Sequence, residues 1–226
     1  MKYHLSLDID FKRNPYKGFF IAIEGIDGSG KTTQARLIAE KLSQSLPAGR
    51  QVSLTKNPTN SPVAKLADKV IKKQIEIPVV SLQYLFAADR QIHQLEITKD
   101  LKEGKIVISD RYFWSSVAYG LADRSSVDYD KNGNVLLVAQ SILSMYHQFL
   151  VPDLTIYLDV PVKLALNRIS KIHRTSEYYE KEEKLAKVAK GYQWLAKKFP
   201  KEIISVDGTK KETEITKEIL KLLKTD

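Results

Sequence analysis

The sequence predicts a three-layer α/β/α fold built on a five-stranded parallel sheet, and three observations support this. Five short apolar runs, rich in β-branched and aromatic residues, alternate with longer segments of helical pattern. Continuous apolar strands separated by helices are typical of a parallel sheet that is covered on both faces. A glycine-rich turn at residues 25–33 joins the first run to the first helical segment. The length of 226 residues, 43% of them apolar, fits a single domain with a sizeable core.

The predicted elements follow one another in the order that this fold requires. The strands are residues 19–24, 52–55, 106–109, 154–159 and 203–207. The helices are residues 31–46, 62–74, 81–103, about 134–149, 162–170, 177–198 and 212–224. Ser81 is the expected N-cap of the third helix and Gly104 its stop. Residues 1–18 precede the first strand and are expected to form an appendage or an edge strand.

Composition excludes several classes of protein. The formal charge is +9, but the C-terminal residues 163–226 combine 16 Lys and Arg with 10 Asp and Glu, often at i,i+4 as in Glu183 and Lys187. A salt-bridged helix surface explains this charge, and no nucleic-acid partner is expected. No apolar run approaches the ~18 residues that span a bilayer. A cytoplasmic protein is therefore expected, and the absence of cysteine fits a reducing compartment.

The turn GIDGSGKTT predicts a nucleotide phosphate site. Its glycines let successive backbone N–H groups converge on an anion, and the helix that follows adds the partial positive charge of its N-terminus. Lys31 is expected to reach the β- and γ-phosphates, and Thr32 to offer a hydroxyl to Mg²⁺. The residues predicted to bind the nucleotide phosphates are Gly25, Ile26, Asp27, Gly28, Ser29, Gly30, Lys31, Thr32 and Thr33.

Two further groups of residues predict where an acceptor binds. Asp110 and Arg111 follow the third strand, at the sheet edge where ligands of open α/β sheets bind. An aspartate there can complete the Mg²⁺ site with Thr32, and an arginine can hold a phosphate with two hydrogen bonds. Phe86 and Arg90 share one helical face, which suits a stacked nucleotide base. Taken alone, this pair is more typical of a core ring and a solvated charge.

Together these segments resemble the thymidylate kinase family, and the resemblance runs from Phe19 to the C-terminus. The family pattern has a phosphate loop of the type EGxDGSGKTTQ, a T-R-E-P turn, an LLFAADR-like helix, a DRY-x-x-S-x-x-A-Y segment and a short basic lid. The matching segments here are EGIDGSGKTTQ (24–34), TKNP (55–58), YLFAADRQIH (84–93), DRYFWSSVAY (110–119), PDLTIYLDVP (152–161) and RISKIHR (168–174).

The resemblance implies a P-loop kinase domain over residues 19–226, with a short lid near 170–180. It implies ATP-dependent phosphorylation of dTMP to dTDP in dTTP synthesis, with Mg²⁺ as cofactor. ATP and dTMP would be its partners, and a homodimer is left open. The implied catalytic residues are Lys31, Arg111, Arg168, Lys171 and Arg174.

The same resemblance implies individual acceptor contacts. Asp27 would meet the sugar 3′-hydroxyl, Phe86 would stack on thymine, and Tyr119 would lie under the 2′ edge of the sugar and disfavour ribonucleotides. The loop at residues 206–211 would run along the donor adenine. The implied dTMP-binding residues are Asp27, Lys56, Phe86, Arg90, Arg111, Ser115 and Tyr119.

Five positions depart from the family pattern, and one of them is Tyr178, which falls where many members carry a lid arginine. Lys56 and Asn57 replace the arginine and glutamate of the T-R-E-P turn. The arginine could form two parallel hydrogen bonds to a phosphate, whereas the ammonium group of Lys56 offers a single point charge. Gly120 stands where a Gln or Thr often contacts the base. Gly28 stands where some members carry an arginine, so the lid is expected to supply the catalytic cation.

Two alternatives remain open from the sequence. A nucleoside monophosphate kinase with relaxed base choice is favoured by Gly120 and Asn57. A non-catalytic phosphate-loop switch is the alternative from another class. The chain has no NKxD guanine-reading motif, and an Asp-Arg pair replaces the Asp-Glu pair expected of motor ATPases. Both features argue against the switch.

Overall fold

The computed structural model describes residues 10–45, 47, 51–124, 132–169 and 176–223. Its centre is a five-stranded sheet in the order β2-β3-β1-β4-β5, and all four neighbouring pairs are parallel. This confirms the predicted sheet, and three of the strands have the predicted bounds. The strands are β1 (Phe19–Glu24), β2 (Val52–Lys56), β3 (Ile106–Asp110), β4 (Leu154–Asp159) and β5 (Ile203–Asp207).

Helices cover both faces of the sheet, which confirms the three-layer prediction. A 3₁₀ turn, Ser144–Tyr146, follows α5. The helices are α1 (Lys31–Ser45), α2 (Pro62–Ile71), α3 (Val79–Lys102), α4 (Phe113–Ala122), α5 (Asn132–Leu143), α6 (Val162–Ile169), α7 (Ser176–Lys198) and α8 (Glu212–Leu222).

Two local predictions about helices were incomplete or wrong. Ser81 does not cap α3: the helix begins two residues earlier, with Pro78 at the N-cap, and the amide of Ser81 already donates to Pro78 O at 2.8 Å. A proline suits this place because its φ angle is fixed near helical values. The sequence pattern also missed α4, because eight of its ten residues are buried and it lacks the polar face that reveals an amphipathic helix.

The sheet separates two hydrophobic cores. On one face, Ile21 and Ile23 of β1 pack with α1 and α8. On the other face, Phe20 and Ala22 belong to a larger core with α3, α4, α5 and α7. Alternating side chains of one strand thus supply both cores. Each fully buried large apolar side chain contributes about 1.5–3 kcal/mol to folding, so the sheet edge that carries the site is held from both sides.

The described part of the N-terminal segment, residues 10–18, forms an appendage and not an edge strand. Its contact with another strand-like segment is a single bridge between Lys12 and Leu150. Phe11 stacks on Phe113 at 6.4 Å between ring centroids, and Arg13 donates to Glu202 at 2.7 Å. These contacts attach the segment to the α4 and α7 side of the protein.

The charge pattern and the helix lengths agree with the expectations from composition. Lys187 and Glu183 on α7 form one of the predicted i,i+4 ion pairs at 2.7 Å. Within the described ranges, no helix combines the length and the apolarity needed to cross a bilayer.

Candidate active site

The phosphate loop lies between β1 and α1, as predicted. Gly25, Gly28 and Gly30 all have positive φ angles, which a residue with a side chain rarely adopts. At Gly28 the need for glycine is also steric, because a Cβ there would lie 2.2 Å from the carbonyl oxygen of Ala165 on α6. The packing of α6 on the loop therefore accounts for the missing side chain at this position.

Lys31 is the first residue of α1 and lies under the loop. Its Nζ donates to Ile26 O at 2.8 Å, and only 6% of the residue is exposed. Burial and the nearby charge of Arg111 lower the pKa of Lys31, and the carboxylates of Asp27 and Asp110 oppose the shift. The resulting pKa of Lys31 is about 7. The charged form of Lys31 is therefore disfavoured until anionic groups surround its ammonium group.

This low pKa predicts proton uptake when ATP binds. At pH 8, Lys31 of the free protein is mostly neutral, because its pKa is about 7. A triphosphate in the loop favours the charged form, so binding should take up about one proton per ATP. Calorimetry of Mg–ATP binding in two buffers of different ionisation enthalpy measures this number directly. The uptake should disappear at pH 6, and uptake that is absent at both pH values would show that Lys31 is already charged in the free protein.

Thr32 and Asp110, which are predicted to hold Mg²⁺, are in contact. The Thr32 hydroxyl donates to one carboxylate oxygen of Asp110, and the other oxygen is buried without a hydrogen-bond partner among the described residues. A hydroxyl and a carboxylate are hard oxygen ligands that suit Mg²⁺, which usually takes one or two protein ligands and completes its shell with phosphates and water. The described residues contain no cluster of three or more His, Asp or Glu that could hold a metal by itself. The donor set therefore fits Mg²⁺ bound together with a nucleotide.

Arg111 lies at the centre of the site. Its backbone has a φ of +73°, and its guanidinium donates to Asp27 at 2.5 Å, Ser115 Oγ at 3.1 Å and Tyr119 OH at 3.2 Å. Tyr119 also donates to Asp27 at 3.1 Å. Burial alone would lower the pKa of Arg111, but the surrounding Tyr119, Tyr192 and Asp27 outweigh it and raise that pKa. The guanidinium is thus charged and held in one orientation.

Sequence reasoning missed two residues beneath Arg111. Glu24, at the end of β1, is 1% exposed and accepts hydrogen bonds from Ser115 Oγ at 2.6 Å and from Tyr192 OH at 2.8 Å. Burial raises the pKa of Glu24 above its usual value. These hydrogen bonds and the charge of Arg111 offset only part of that rise. The hydroxyl of Ser115, expected to contact dTMP, is thus already bonded to Glu24. Tyr192 is far from these motifs in sequence. Its position on α7 follows the spacing of the residues that face the core, so the sequence alone marks it as a core residue.

A second cavity adjoins the phosphate loop. It has a volume of about 240 Å³ and is lined by Phe86, Arg90 and Tyr119 among others. Arg90 lies 5.7 Å from the Phe86 ring centroid and donates to Ser116 Oγ at 2.8 Å. The structure thus brings together the predicted ring and arginine. Asp27, Asn57 and Arg111 line both this cavity and the phosphate cavity of about 560 Å³.

The turn after β2 reaches the place where the two cavities meet. Lys56 is exposed and borders the phosphate cavity, whereas Asn57 is buried and has no side-chain hydrogen bond within the described residues. Asp89 on α3 fixes this turn, because its carboxylate accepts from the Thr59 amide at 2.9 Å and from Ser61 Oγ at 2.7 Å. These hydrogen bonds therefore fix the turn at the place where the two cavities meet.

The lid candidates are only partly described. Arg168, near the end of α6, donates to Gly208 O at 3.0 Å and borders the phosphate cavity. Lys210, in the loop predicted to follow the donor adenine, also borders that cavity. Lys171 and Arg174 lie outside the described residues.

Two cavities that share one wall are what a phosphotransferase needs to bring a nucleotide donor and a nucleotide acceptor together. The fold and the site define that class. The family model for thymidylate kinase matches residues 23–219, and the chain belongs to the thymidylate kinase family.

Similar proteins agree with this assignment. The chain is 39% identical to a probable thymidylate kinase of Pyrococcus horikoshii over 214 residues, which cover 92% of this chain and 97% of that one. It is 36% identical to a thymidylate kinase of Citrifermentans bemidjiense, with 85% of each chain covered. The solved structure of thymidylate kinase from Candida albicans matches with a TM-score of 0.72 and 28% identity over 92% of both chains.

Proposed function

We propose that this chain transfers the γ-phosphoryl group of ATP to dTMP, which yields ADP and dTDP. The observation that carries this proposal is the pair of cavities that meet at Asp27, Asn57 and Arg111. One cavity contains the phosphate loop. The other has a ring and an arginine at a spacing that suits a stacked base. Membership of the thymidylate kinase family supports this acceptor.

We assign the chemistry to positioning and charge neutralisation, because phosphoryl transfer needs little covalent help from a protein. Lys31 and the loop amides would hold the transferring group between donor and acceptor. Thr32 and Asp110 would hold Mg²⁺, which neutralises charge on the phosphate oxygens when bound. Arg111 would face the acceptor phosphate.

The remaining predicted residues would orient the acceptor and close the site. Asp27 would accept from the 3′-hydroxyl, and the Phe86 ring would stack on the base. Arg168, Lys171 and Arg174 stay candidates for the lid cation, which would exclude water on closure. A cytoplasmic location also stays a prediction.

A kinase with relaxed base choice is the second candidate, and Gly120 favours it. A glycine has no side chain, so residue 120 supplies no side-chain contact to the base. A Cβ at this position would lie 2.4 Å from Cδ1 of Ile142, so the end of that side chain would have to move to make room for one.

An acceptor series tests the proposed function and the role of Tyr119 together. The wild-type enzyme should phosphorylate dTMP and dUMP and should use UMP poorly, because a packed ring under the sugar leaves no room for a 2′-hydroxyl. Such steric rejection is worth ~1–3 kcal/mol, or roughly tenfold to a few hundredfold in kcat/KM. Tyr119→Ala should narrow the gap between dUMP and UMP, as measured by ADP release with each nucleotide.

Tyr119→Phe is the matched control for this series. It removes the hydrogen bonds to Asp27 and Arg111 but keeps the ring, so the dUMP preference should persist. Equal kcat/KM for UMP and dUMP in the wild-type enzyme would rule out the assignment of Tyr119.

We also propose that the chain forms a homodimer through α3. Val80, Tyr84 and Leu95 are exposed by 49%, 61% and 70%, and helical spacing places them on one side of α3. The opposite side of α3 packs on the core through Ile97 and Leu101. A second apolar face of this kind is typical of an interaction surface. A Leu95→Glu variant should be monomeric in light scattering at concentrations where the wild-type chain is dimeric.

A further inference from the structure

The acceptor cavity is the cavity of about 240 Å³ that Phe86, Arg90 and Tyr119 line, and Gln83 is a buried polar residue of it that the roles above leave unassigned. It lies on α3, three residues before Phe86 and seven before Arg90, so all three share one helical face. Only 7% of Gln83 is exposed, and it lines the acceptor cavity. Its Oε1 is buried with no hydrogen-bond partner in the part of the chain that the structure describes. A buried amide oxygen without a partner calls for a ligand that donates to it.

The amide of this side chain lies beside Gly120. A Cβ built on Gly120 would lie 3.4 Å from Gln83 Nε2, so the amide of Gln83 occupies the space toward which a side chain at position 120 would point. The amide of Gln83 on α3 thus lies where a side chain of residue 120 on α4 could have contacted the base.

A second residue that lines this cavity also has an unpartnered polar atom. The Nε of Arg90 is buried without a partner among the described residues. An arginine can only donate hydrogen bonds, whereas the Oε1 of a glutamine accepts them. Two of the residues that line the cavity with Phe86 therefore carry an unsatisfied acceptor and an unsatisfied donor.

These two atoms match the edge of one kind of pyrimidine. Thymine and uracil present an N3–H donor beside the O4 acceptor, whereas cytosine presents an N3 acceptor beside its N4 amino donor. We propose that Gln83 is a specificity-determining residue that accepts a hydrogen bond from the base N3–H while Arg90 donates to O4. This inference rests on the proposed function, because it names the base that the acceptor cavity takes. It gives no discrimination between dTMP and dUMP, which share both groups.

Binding measurements without ATP test this assignment. Gln83→Met keeps the length of the side chain but removes the acceptor, and Gln83→Glu keeps an acceptor at the same place. The dissociation constants of dTMP, dUMP and dCMP are measured by calorimetry for each variant. Gln83→Met should weaken dTMP and dUMP about tenfold, in line with the loss of one buried hydrogen bond. Binding of dCMP should change little, so the preference over dCMP should shrink by the same factor.

The controls separate base reading from packing. Gln44→Met makes the same change on an exposed residue of α1, away from the acceptor cavity, and should leave all three dissociation constants unchanged. If Gln83 only fills space, the apolar methionine should bind as the wild type does and the buried charge of Gln83→Glu should be the more damaging change. Base reading predicts the opposite order, with Gln83→Glu retaining the preference over dCMP.

Three results would overturn the assignment: an unchanged preference in Gln83→Met, a preference lost in Gln83→Glu, or a wild-type protein that binds dCMP as well as dTMP. Failure of the proposed function looks different, because it is a wild-type protein that binds dTMP but forms no dTDP from it and ATP. The Gln83 assignment would survive that result if the preference over dCMP still depended on Gln83.

Discussion

Replacement of Lys31 by Ala should lower kcat by about 100-fold or more, as expected for the deletion of one preorganised group that stabilises developing charge. The side chain lies under the phosphate loop with its Nζ on Ile26 O, and no described acidic side chain is its hydrogen-bond partner. The positive charge that Lys31 gains when a triphosphate binds is therefore available to the transferring phosphoryl group. The change is measured as the initial rate of ADP release at saturating ATP and dTMP.

The fold should survive this substitution, because the charge of Lys31 serves the phosphates and not the core. A thermal melt of the variant checks this. Lys41→Ala is the matched control, since it makes the same change on an exposed residue of the same helix and should leave the rate unaltered. A folded Lys31→Ala enzyme with wild-type turnover would refute the assignment of the phosphate loop.

Arg111→Lys should have the second-largest effect, although it preserves the charge. The guanidinium donates at once to Asp27, Ser115 and Tyr119, and one ammonium group cannot reproduce this geometry. Loss of charge-assisted hydrogen bonds of about 1.5–3 kcal/mol corresponds to roughly tenfold to 100-fold. We expect the loss in kcat and in the KM for dTMP, with the KM for ATP nearly constant.

A matched control for this change is Arg36→Lys on α1, where an exposed arginine pairs with Glu40. It should leave all kinetic constants unchanged. If Arg111→Lys raised only the KM for ATP, Arg111 would belong to the donor side and its assignment to the acceptor phosphate would be wrong.

The fold was predictable because its signals are local. Each strand is a continuous apolar run, and such runs alternate with helical segments over most of the chain. Helix α4 could not be predicted, because burial on nearly all sides removes the alternation of apolar and polar residues that marks a helix. The start of α3 was misplaced because Ser81 has the chemistry of an N-cap while Pro78 occupies the position.

The site was predictable to the extent that its residues are neighbours in sequence. The phosphate loop is one contiguous motif, and Asp110 with Arg111 follows one strand. The contact between Glu24 and Tyr192 joins residues 168 positions apart, so it depends on how α7 packs. The proposed role of Gln83 in base recognition depends on its distance from Gly120 and on its unpartnered oxygen, and the sequence contains neither.

The most direct test of the proposed reaction is to identify the product itself. The wild-type enzyme is incubated with ATP, dTMP and Mg²⁺, and the phosphorus-containing products are resolved by ³¹P NMR. The account predicts that one dTDP forms for each ADP, with no inorganic phosphate beyond the background of ATP alone. Formation of ADP and inorganic phosphate with dTMP unchanged would contradict it, because the phosphate loop would then serve hydrolysis and not transfer to a nucleotide.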